Sequence, residues 1–178
     1  MLALALGDCG DTLQNQAVSA NTLEGVIEAP YPVYWLGSRF EGMQLTESTH
    51  DPGGAYTLQY GNCLRGGQSV CVAPLRVVTS PDNSFVPGGA APSSVSSIRG
   101  VPATIAQAGR SISIPTAGVV VSIYASNPQL ALAAARTVVA INEVSEPEAP
   151  LPAPLPDTGF GATPLSSSQI PPPLHPLG

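Results

Sequence analysis

The residue pattern predicts an α+β domain: a short-stranded antiparallel sheet packed by one C-terminal helix in two layers. Three observations lead there. Tyr56-Thr57-Leu58-Gln59-Tyr60 alternates with the period of a half-buried strand. Three further β-rich runs, 103–107, 110–114 and 118–124, follow closely, with Ala108-Gly109 and Thr116-Ala117-Gly118 as turns between them. Residues 129–142 then contain no Gly or Pro and are rich in Ala and Leu, the composition of a helix.

The elements follow in chain order. Pro32-Val33-Tyr34-Trp35-Leu36 and Met43-Gln44-Leu45-Thr46 are short runs of β-formers bounded by Gly. Tyr56, Leu58 and Tyr60 share one face of the next strand. Residues 70–78 read as an extended run broken at Pro74, which suits an edge or a bulge. Residues 80–98, with Pro81, Pro87, Gly88, Gly89, Pro92 and many Ser, read as a loop. The closing helix has Asn127 as its N-cap and Pro128 at its first position. Gln129, Arg136 and Glu143 make a thin polar stripe, and Leu130, Ala134, Val138 and Ile141 an opposite apolar face.

Composition divides the chain into three parts. Residues 1–29 read as a leader and polar tether, 30–145 as the folded domain, and 146–178 as a Pro-rich tail. Ten of the 20 prolines fall between Pro147 and Pro176, so irregular chain is concentrated there. Proline at nearly every second or third position in 147–156 suits polyproline II or a solvated tail. The net charge of −6 is also uneven. All six arginines lie between Pro30 and Asn142, while most of the acids flank them. These arginines are single and scattered and there is no lysine, so the pattern speaks against nucleic-acid binding, which needs clustered cations on one face. No run approaches the length of a membrane-spanning helix.

The three cysteines carry the strongest localising signal. Leu6-Gly7-Asp8-Cys9 closes an apolar run and resembles the lipobox of bacterial lipoprotein signal peptides, with Asp8 where Gly or Ala is expected. That resemblance implies a lipid anchor on Cys9 and a membrane partner. A truncated ordinary signal or a plain cytosolic N-terminus are the alternatives for the same segment. Cys63 and Cys71 flank a Gly-rich loop. As a disulfide they would close a hairpin-like loop, contributing about 2.5 kcal/mol. The metal and redox readings lack support: no CxxC and no nearby His completes a zinc site, and redox pairs favour CxxC spacing.

Three other features bear on function. Six of the nine aromatics lie between Tyr31 and Tyr60, and Tyr34, Trp35, Tyr56 and Tyr60 are the candidate lining of a ligand groove, or else the core of the first sheet. His50-Asp51-Pro52-Gly53-Gly54 has turn chemistry rather than that of a catalytic dyad. Leu155-Pro156-Asp157-Thr158-Gly159 matches the LPxTG pattern of sortase substrates, but the residues after it form neither an apolar span nor a basic end. The chain shows no metal set and implies no cofactor.

Several segments in order, Pro30-Tyr31-Pro32-Val33-Tyr34-Trp35-Leu36-Gly37, Phe40-Glu41-Gly42-Met43-Gln44-Leu45-Thr46, Tyr60-Gly61-Asn62-Cys63 and Cys71-Val72-Ala73-Pro74-Leu75, resemble small exported, lipoprotein-like proteins of actinobacterial type with no assigned activity. The resemblance covers about half of the domain. It implies an extracytoplasmic domain with a local disulfide, on the outer face of the membrane or in the cell wall, and no catalytic residue. The expected function is therefore a cell-envelope binding or structural module with an envelope or wall partner. An extracytoplasmic enzyme is the alternative; it would need Glu41 or Glu47 beside His50 in a cleft.

Overall fold

The computed structural model describes residues 17–62, 64–65, 71–81 and 94–155. It opens with helix α1 (Ala20–Ile27), whose N-cap Ser19 accepts a hydrogen bond from the Thr22 N–H at 3.3 Å. The strands are β1 (Tyr34–Trp35), β2 (Arg39–Phe40), β3 (Met43–His50), β4 (Tyr56–Tyr60), β5 (Leu64–Arg65), β6 (Cys71–Val72), β7 (Leu75–Ser80), β8 (Ser94–Ile98), β9 (Val101–Ala106), β10 (Ser111–Thr116), β11 (Val119–Ala125) and β12 (Val139–Ala140). Helix α2 (Pro128–Thr137) lies between the last two strands.

Eight strands form one antiparallel sheet in the order β2-β3-β4-β7-β11-β10-β9-β8. Two meanders, β2-β3-β4 and β11-β10-β9-β8, are joined through β7. Two smaller ribbons, β5-β6 and β1-β12, stand apart from it. The molecule is thus α+β, mostly antiparallel sheet, with two helices among the described residues.

Register explains the core. Leu58 sits beside Val77, Val77 beside Ile123, and Ile123 beside Ile112, so four strands contribute one apolar row. All four side chains are buried. Successive residues point to opposite faces, so the next row, Gln59, Arg76 and Tyr124, is polar and faces the other way. Tight turns join the strands. Arg99 and Gly100, both at positive φ, connect β8 to β9, and Glu41 and Gly42 do the same for β2 and β3.

Helix α2 begins as its sequence predicts. The Asn127 side chain accepts from the Leu130 N–H at 2.8 Å, and Pro128 occupies the first turn. It ends at Thr137 rather than near 142. Val138 leaves the helix with ψ of 134°, and the following residues pair with β1: Tyr34 opposite Ala140, Trp35 opposite Val139. The β-branched Val138-Val139 pair favours extension, and the backbone groups of Tyr34 and Trp35 supply partners. The face that α2 buries is Ala131, Ala134 and Ala135, which lets it sit close to β11 and β10.

Three sequence expectations are corrected. The stretch expected as tether holds α1, whose Val26 is buried. The loop expected over 80–98 contains β8, a Ser-rich strand with Val95 and Ile98 as its β-formers, paired along its length with β9. Packing also passes the expected boundary at 145: Leu151 joins the core, and the Leu155 N–H bonds the carbonyl of Ala117 at 2.7 Å. Proline cannot donate to a ladder, but the carbonyls of a Pro-rich strip still accept. Thr116 uses this, its hydroxyl donating to the Pro152 carbonyl at 2.7 Å.

Candidate functional site

The four aromatic residues expected to line one groove separate into four environments. Tyr60 is fully buried, its hydroxyl accepting from the Leu36 N–H at 2.8 Å and donating to the Gly37 carbonyl at 3.2 Å. It lines no groove: the sheet register places it in the core row with Leu45 and Leu75. Burial pushes its phenol well above the usual value. Trp35 is half-buried against the core. Tyr56 stays near the surface, and Tyr34 borders a cleft.

That cleft, about 340 Å³, is bounded by Tyr34 and Ala140 of the β1-β12 ribbon, Arg99 at the β8–β9 turn, and the 143–152 segment with Glu143, Glu146 and Leu151. Its volume is in the range of small-ligand sites. Arg99 arises there because the tight turn gives it φ of 51° and projects it beyond the strand ends. Its guanidinium donates to three backbone carbonyls: Ala149 through Nε at 2.6 Å, Glu146 through Nη2 at 3.1 Å, and Val138 through Nη1. Partial burial lowers the Arg99 pKa, with Tyr34 and Glu148 acting the other way. The Tyr34 phenol is raised, chiefly by burial. The cleft therefore combines apolar walls, one cation with its charge held in place, one buried phenol and two carboxylates on its rim.

A second aromatic surface lies at the far end of β3. The rings of His50 and Tyr56 stack at 4.3 Å between centroids and 18° between planes. Tyr31 meets Tyr56 edge-on at 6.1 Å. Tyr56 donates to the Gly25 carbonyl at 3.1 Å and Tyr31 to the Gly54 carbonyl, so α1 and the 51–55 turn hold both rings. Asp51 shapes that turn, its side chain accepting from the Ala55 N–H at 2.9 Å.

The carboxylates named for an enzymatic reading do not meet His50. Glu47 accepts from Gln59 at 2.7 Å, and its position three residues from His50 on β3 puts it on the opposite face. Glu41 is in the β2–β3 turn, at the other end of the strand. Among the described residues no group of three or more His, Cys, Asp or Glu is placed to hold a metal ion. No described helix is long and apolar enough to cross a membrane. Cys9, Cys63 and most of the LPxTG segment lie outside the described residues, and of Cys71 the structure describes the backbone, opposite Arg65 in the β5-β6 ribbon.

Arg99 escaped the sequence reading, which placed its neighbours in a loop. The available signal was Ile98-Arg99-Gly100-Val101, a turn dipeptide between two apolar residues. Comparison with protein families, curated proteins and solved structures finds no match to this chain.

Proposed function

We propose that this protein is a cell-envelope binding module, anchored to the membrane through a lipid on Cys9, that takes a small envelope component in the Tyr34–Arg99 cleft. The observation that carries the reading is the cleft itself. Tyr34 and Arg99 line one cavity of ligand size together with apolar residues and the carboxylates of Glu143 and Glu146.

In this reading the polar residues before α1 act as spacer, and the Pro-rich residues beyond 155 as tail. The sheet with α2 laid on it, a two-layer arrangement, is the scaffold; the buried alanines of α2 support that arrangement. Cys63 and Cys71 form a disulfide across their loop. The resemblance to exported proteins, which implies a local disulfide, supports it, while the β5-β6 register sets Arg65 opposite Cys71. The resemblance to exported lipoprotein-like proteins supports the outer face of the membrane or the wall as location.

Two measurements test this. Intact mass of the chain from its host's membranes should show diacylglycerol-sized mass on a chain beginning at Cys9, with two thiols blocked until reduction. An unlipidated full-length chain with three free thiols overturns the anchoring. Titration of the isotope-labelled chain with soluble wall-glycan fragments and lipid headgroups should shift amide resonances of Tyr34, Arg99 and Leu151 together. Shifts absent there for every probe overturn the cleft as the site.

A further inference from the structure

The two edges of the eight-stranded sheet are built differently. β2 is only two residues long and carries the exposed Arg39, features that discourage another strand from adding. The opposite edge, β8, is five residues long with the sequence Ser-Val-Ser-Ser-Ile and has no charge, proline or glycine. Ser94, Val95, Ser96 and Ser97 are all exposed, and Val95 keeps 78% of its surface. Among the described residues, β9 is the only strand paired with β8, and no backbone group of 94–97 bonds elsewhere. In a strand paired on one side, alternate N–H and C=O groups point away from the neighbour and can accept another strand.

We propose that β8 pairs antiparallel with β8 of a second copy of this chain, about a two-fold axis through Ser96, joining two sheets into one continuous sheet. Three features select a second copy over a foreign peptide. An uncharged strand offers no electrostatic means of choosing a different partner, whereas it meets its own copy without like charges opposed. The nearest charge, Arg99, is turned onto three carbonyls of its own chain. In the Ser96-centred register, Val95 faces the second copy's Ser97, and the two Val95 side chains become diagonal neighbours on one face. The most exposed apolar side chain of the edge thus finds its counterpart in the copy. The interface is isologous, so it closes at a dimer instead of propagating.

Sedimentation equilibrium of the full chain under reducing conditions tests this. The wild-type chain should show a concentration-dependent dimer. Val95→Lys, at an exposed site, should leave thermal unfolding of the monomer unchanged and weaken association about tenfold or more, because it sets two like charges diagonally across the seam in place of an apolar contact. Ser96→Cys, oxidised at dimer-forming concentration, should yield a disulfide-linked peptide joining the two substituted positions, since directly opposed Cβ atoms come within bridging range. A chain that sediments as a monomer throughout overturns the proposal. So does a dimer indifferent to Val95→Lys, or one in which the 96–96 link never forms.

Discussion

The side-chain oxygen of Asn142 accepts the backbone N–H of Val33 at 2.9 Å, across 109 residues of sequence. Its amide nitrogen donates to the carbonyls of Tyr31 at 2.8 Å and Ala29 at 3.2 Å. One carboxamide thus ties the strip entering β1 to the strip leaving β12, and Ile141 adds a backbone bond to Val33 at 2.8 Å. The β1-β12 ribbon that this knot secures forms one wall of the cleft.

Asn142→Ala removes three hydrogen bonds and strands the Val33 N–H. The expected loss is about 3 kcal/mol, read as a lower urea midpoint with unchanged slope. Asn142→Asp keeps the acceptor but loses both donors and sets a carboxylate beside two carbonyls, so it should be no better than Ala. A midpoint within error of wild type for both variants would show that the knot contributes nothing.

Arg99 holds the 146–149 segment through carbonyl contacts that depend on its planar fork. Arg99→Lys keeps the charge and cannot span the same three acceptors. We expect faster cleavage by a Glu-specific protease at the Glu148–Ala149 bond in both Arg99→Lys and Arg99→Ala, the Glu146–Pro147 bond being resistant in every variant. Equal cleavage rates in wild type and variants would mean that the segment is held by its backbone bonds alone.

Tyr60 predicts the alkaline limit of the fold. Its phenol ionises near pH 10 in an unfolded chain and well above that when buried. The unfolded state therefore loses the proton first, so stability is full below pH 10 and declines as pH rises beyond it. While the native phenol stays protonated, this residue alone accounts for about 1.4 kcal/mol per pH unit. Tyr31, Tyr34 and Tyr124 are raised in the same direction. Tyr60→Phe should cost about 1–2 kcal/mol at neutral pH by stranding the Leu36 N–H, yet give a shallower decline above pH 10. Urea midpoints measured from pH 8 to the alkaline limit decide it; parallel curves would remove Tyr60 as the source.

Gly61 sits at φ of 81°, and a methyl group there would lie 2.7 Å from Pro74 Cγ and 3.0 Å from Met43. Gly61→Ala should lose about 2–3 kcal/mol from backbone strain and overpacking together. Gly42, at φ of 77° with open space around it, isolates the backbone part. Gly42→Ala should cost about 1 kcal/mol. Equal losses at the two sites in calorimetry would mean that the contacts at Gly61 relax freely.

Local patterning made much of the sheet legible. The alternation of Tyr56, Leu58 and Tyr60, the break at Pro74 and the turn at Ala108-Gly109 all stand where the sequence places them, because strand period and turn chemistry act over a few residues. Asn127 and Pro128 likewise mark the start of α2. The end of α2 was not legible, since the extended preference of Val138 and Val139 is too weak alone to end a helix and the partner that decides is β1, a hundred residues earlier.

By itself the sequence determined the antiparallel class, the position of most strands and the start of the main helix, through propensities that need no distant contact. Tertiary structure decided which tyrosines are core and which face a cleft. It made Arg99 a clamp and Asn142 a knot, and it turned a serine-rich stretch into an edge strand. These outcomes depend on backbone donors and acceptors brought together from remote positions, where each buried polar group must find its partner.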